Sequence, residues 1–64
     1  MEHFSELKTM TIYSKMKILE CIAGRTWIGN LSEAEALMVV RIMNERKKNP
    51  HFLPEEIKVA ICSL

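Results

Sequence analysis

The chain has little of most things that mark a specialised protein. Its 64 residues include two cysteines, two glycines, two prolines, one tryptophan, one tyrosine and two phenylalanines, and its formal net charge is only +1. No apolar run approaches the roughly 18 residues that a membrane helix needs, so no membrane partner is expected. Near neutrality removes any global electrostatic attraction to nucleic acid or anionic lipid and leaves only local basic patches to consider. Gly24 and Gly29 stand alone, without the Gly-Lys-Ser/Thr continuation of a phosphate-binding loop.

The stretch from Met1 to Lys8 carries two acids and no sustained apolar core, so it does not read as a secretory signal. Cys21 and Cys62 lie among apolar neighbours and read as reduced, packed thiols. Together these features point to a cytoplasmic protein. His3, Cys21, His51 and Cys62 have the composition of a zinc site but not its spacing, because structural zinc draws its ligands from close pairs. No metal and no other cofactor is expected. No third group orients a Cys–His pair, and the acids at Glu33, Glu35, Glu55 and Glu56 are explained as helix starts, so the chain is not expected to be an enzyme.

What is present is an ordinary globular balance, 48% hydrophobic and 27% charged. Residues 1–64 form one domain, and a chain of this size buries only about 60% of its unfolded surface, so folding needs extra support. Punctuation cuts the chain into helices. Ile12, Met16, Leu19 and Ala23 recur at helical spacing, widened by Ile18 and Ile22, and predict a helix over 11–23 ended by Gly24. Phe4 and Leu7 can form a short N-terminal turn, interrupted by the β-branched residues near 9–11. Residues 25–31 read as a connector.

Ser32, Glu33, Ala34 and Glu35 spell a capping box, in which Ser32 caps the amide of Glu35 and Glu35 reaches back to the amide of Ser32. Acids at one end and Arg46, Lys47 and Lys48 at the other suit the dipole of a helix over about 33–48. Asn49 and Pro50 end it. Pro54 then opens a third helix at its first position, with Ile57, Ala60, Ile61 and Leu64 as its buried stripe. The fold expected is all-α: a small three-helix bundle, or four-helix if the N-terminal turn is counted, completed by oligomerisation.

Function is read from the second helix, which is apolar around almost its whole circumference from Ala36 to Met43. Such a helix needs cover on more than one side, and this short chain has little to supply it. The expectation is therefore a homodimer, or a complex with a larger protein partner. Met38, Val39, Ile42 and Met43, with the connector residues Trp27, Ile28 and Phe52, are the candidate partner-binding residues. Arg46, Lys47 and Lys48 would steer approach or meet phosphate. The favoured role is a non-enzymatic regulator, inhibitor or adaptor acting through an apolar helix face. The alternative is a small dimeric DNA-binding transcriptional regulator using basic helix ends. A helix-turn-helix reading is disfavoured, because the connector over 25–31 is too long and the second helix lacks polar side chains for base edges.

Overall fold

In a computed structural model the chain is described over residues 4–62, and those residues are all-helical, with no strand among them. Expectations that fall on His3 and Leu64 lie outside the described residues. A 3₁₀ turn over Ser5–Thr9 precedes α1, Ile12–Ile22; a second 3₁₀ turn, Ile28–Asn30, precedes α2, Glu33–Arg46; and α3 covers Glu55–Cys62. The three α-helices pack together.

Each boundary has a local cause. The break before α1 falls at Met10 and Thr11, both extended, and the Thr11 hydroxyl accepts from the Ser14 amide at 3.1 Å. At the other end Gly24 adopts φ +79°, a left-handed conformation that other residues enter only with strain. The Arg25 amide then reaches the Glu20 carbonyl at 2.8 Å and the Gly24 amide reaches that of Cys21 at 3.1 Å, which is the double closure of a Schellman cap. The capping box at α2 is formed on both sides: Glu35 N to Ser32 Oγ at 3.2 Å, and Ser32 N to Glu35 Oε1 at 3.0 Å. Pro54 sits one residue earlier than expected, just before α3, where its carbonyl accepts from Ile57 and Lys58.

The core gathers Leu7, Ile18, Met38, Val39, Ile42 and Ile57, so the first 3₁₀ turn and all three α-helices contribute to it. Helix packing runs mainly through α1, on which both α2 and α3 rest, while the N-terminal turn closes against α3. The central helix is thus α1. Because α1 is covered on two sides, its buried side is turned toward Ile18 and Ile22, about a quarter turn from the predicted stripe, and Ile12 stays exposed. On α3, Ile57 and Ala60 fill the contact with α1, and Ile61 and Val59 turn outward. Cys62, expected to be packed, is exposed, whereas Cys21 is half-buried against the core; neither forms a disulfide.

Ile42 has no exposed surface. Ile42→Val should cost about 0.5–1.5 kcal/mol and Ile42→Ala about 2–5 kcal/mol, read from urea unfolding. Gly24→Ala, which leaves every side-chain contact intact, should cost about 1 kcal/mol through φ alone.

Candidate functional site

The capping box sets which way α2 faces. Glu35 is buried, and besides Ser32 it meets two residues of α1: the Ser14 hydroxyl, which hydrogen-bonds its carboxylate, and Lys17, whose Nζ lies 3.7 Å from Oε1. A carboxylate can be buried when its lone pairs are taken up in this way. With Glu35 turned onto α1, the residues at helical spacing from it follow. Met38, Val39 and Ile42 point inward and none is more than 4% exposed.

That overturns part of the expected site. Met38, Val39 and Ile42 are core, because α1 covers the side of α2 that carries them and Leu7, Ile18 and Ile57 meet them in one cluster. Phe52 is half-buried, its ring 5.6 Å from that of Phe4 and packed against the core, so it closes the base of the fold. Arg46 is also occupied. Its Nη1 donates to the Phe52 carbonyl at 2.8 Å, tying the end of α2 to the loop before α3. Lys47 and Lys48 remain at the surface.

Three expected residues are on the outside: Trp27 (72% exposed), Met43 (44%) and Ile28 (38%). Two more belong with them that were not singled out, Val40 (56%) and Leu37 (50%). Leu37, Val40 and Met43 follow one another at three-residue steps along the side of α2 turned away from α1. Polar residues at the matching spacing, Arg41 and Asn44, were the signal that this side faces water. Ile28, from the second 3₁₀ turn, lines an open groove of about 350 Å³ together with Val39, Val40, Arg41, Met43, Asn44 and Lys47.

Gly29 follows Ile28 in the second 3₁₀ turn. A Cβ there would come within 2.5 Å of the Trp27 ring, so only glycine lets the indole lie across the turn. Arg41 meets Glu6 of the N-terminal turn at 3.2 Å, a bridge between exposed groups. Among the described residues, no group of three or more His, Cys, Asp or Glu side chains gathers as a metal site would require, and no helix is long and apolar enough to cross a membrane.

Comparison with protein-family models, with curated proteins and with solved structures gives no match.

The Glu35 carboxyl is held below its ordinary value of 4.5, first by the Ser14 hydroxyl and then by the Ser32 amide, with Lys17 adding to them against the opposing effect of burial. A group whose folded pKa is depressed adds stability above its unfolded pKa and loses it as pH falls through the folded value. Glu35→Gln should therefore be less stable than wild type near neutral pH, and the difference should shrink as urea-unfolding curves are taken down to about pH 3. Some acid sensitivity should persist, because Glu6 is also lowered, chiefly by a backbone hydrogen bond and then by Arg41.

Proposed function

We propose that this chain is a non-enzymatic protein-interaction module, a small helical bundle completed by association, that acts as a regulator, inhibitor or adaptor by covering its outer α2 face against another protein surface. One observation carries the reading: Ile28 of the second 3₁₀ turn and Val40 and Met43 of α2 are exposed and line one groove, with Leu37 exposed beside them on α2. Single exposed apolar residues are ordinary, but a contiguous set around a groove marks an interface. Full burial of such a side chain is worth about 1.5–3 kcal/mol, and because each is only 38–56% exposed, covering the remainder contributes roughly half of that. Lys47, which also lines the groove, supplies a polar rim.

The weaker reading, a DNA-binding regulator using basic helix ends, rests on Lys47 and Lys48, since the third cation of the cluster is held at the Phe52 carbonyl. Two phosphate contacts support only weak, salt-sensitive binding. Cytoplasmic location is part of the same proposal.

Val40→Glu tests the favoured reading. The variant should keep the circular dichroism of the wild type and its stability to within about 0.5 kcal/mol, because the side chain lies in water in the isolated chain. It should lose the association seen with wild type in light scattering and in affinity capture from the native host. Val39→Glu, one residue along and in the core, should instead unfold the chain. A folded Val40→Glu protein that keeps every association of the wild type would overturn the proposal.

A further inference from the structure

We propose that the occupant of the outer α2 face is a second copy of this chain, with α2 packed antiparallel on α2 and the two-fold axis passing at Val40. This deepens the interaction-module reading and rests on it. The argument lies in how the face is laid out. Glu33 and Lys47 are each seven residues from Val40, Ala36 and Asn44 are each four away, and Leu37 and Met43 are each three away. All lie toward the side of α2 turned from α1; Ala36 is half-buried and the other six are exposed. The seven-residue and three-residue steps keep these positions on one side of a helix.

A two-fold axis at Val40 converts this layout into complementary contacts. It sets Val40 on Val40, places the partner's Leu37 beside Met43, and brings the partner's Glu33 to Lys47. In an isologous contact the off-axis pairings, Leu37 with Met43 and Glu33 with Lys47, each occur twice. The groove beside Val40 and Met43, completed by Ile28, is then the socket for the partner's Leu37, and this chain's Leu37 fills the same socket across the axis.

Charge decides the direction. With the helices parallel, Glu33 would face Glu33 and Lys47 would face Lys47, and the two helix dipoles would lie side by side in the same sense. Antiparallel packing brings opposite charges together at both ends and opposes the dipoles. The spacing of Glu33, Leu37, Val40, Asn44 and Lys47 alternates four and three, which suits a shallow crossing of about 20° along a contact about 21 Å long.

The test uses the full chain with Cys21→Ser and Cys62→Ser to remove its own thiols. Light scattering of the wild type should give twice 7.4 kDa. Val40→Cys should form an intermolecular disulfide rapidly on mild oxidation, while Glu20→Cys, exposed on α1, should not. Glu33→Lys and Lys47→Glu should each weaken the dimer about threefold to tenfold, and the double variant should restore it. A monomer at all workable concentrations, or Val40→Cys cross-linking no faster than Glu20→Cys, would overturn the dimer. Single charge reversals without effect would overturn the antiparallel arrangement. If the chain is a monomer and Val40→Glu still abolishes capture of another protein, the dimer fails while the interaction reading stands; if that capture is also unaffected, both fail.

Discussion

The carboxylate of Glu35 holds two jobs that are usually separate. It completes the capping box by accepting from the Ser32 amide, and it is buried against α1, where the Ser14 hydroxyl and Lys17 meet it. The first job starts α2 and the second fixes its rotation. A buried carboxylate without these partners would be costly, so rolling α2 on α1 would break the cap and strand the charge together. Everything that α2 presents inward or outward follows from that anchor: Met38, Val39 and Ile42 to the core, Leu37, Val40 and Met43 to the surface.

A second constraint is size. Both later helices lean on α1, and α3 is only eight residues long. On the far side of α2, Leu37, Val40 and Met43 stay exposed among the described residues. A helix that is apolar nearly all round keeps such a face exposed when its neighbours pack on one side of it. The loop between α2 and α3 is tied inward instead, with Arg46 donating to the Phe52 carbonyl and the Phe52 ring packed at a tilt against Phe4.

Much of the fold was legible in the residues because it depends on local chemistry. Thr11, Gly24, Ser32 with Glu35, and Pro54 each act through atoms only a few residues away, and each marks an element end within one residue of its expected place. The candidate site was legible only in outline. Trp27, Ile28 and Met43 were found on the outside, but Val40 and Leu37 were passed over in favour of Met38, Val39 and Ile42. A helix that is apolar on every side carries almost no periodic signal to say which side is inward. The same weakness misplaced Ile12 and Ile61, since a stripe drawn through the best-spaced apolar residues ignores where the neighbouring helices lie.

The sequence by itself determined the three α-helices, the starts of α1, α2 and α3 to within one residue and the end of α1 at Gly24, because caps, left-handed glycine and composition act locally or in sum. Tertiary structure alone decided that α1 is the helix on which the others rest, that Glu35 turns Val39 in and Val40 out, and that Arg46 is a tie within the fold. Those outcomes depend on contacts between residues far apart in the chain, Ser14 with Glu35 and Lys15 with Glu56 among them. Side-chain identity along one helix cannot specify such contacts until the partner helix is in place.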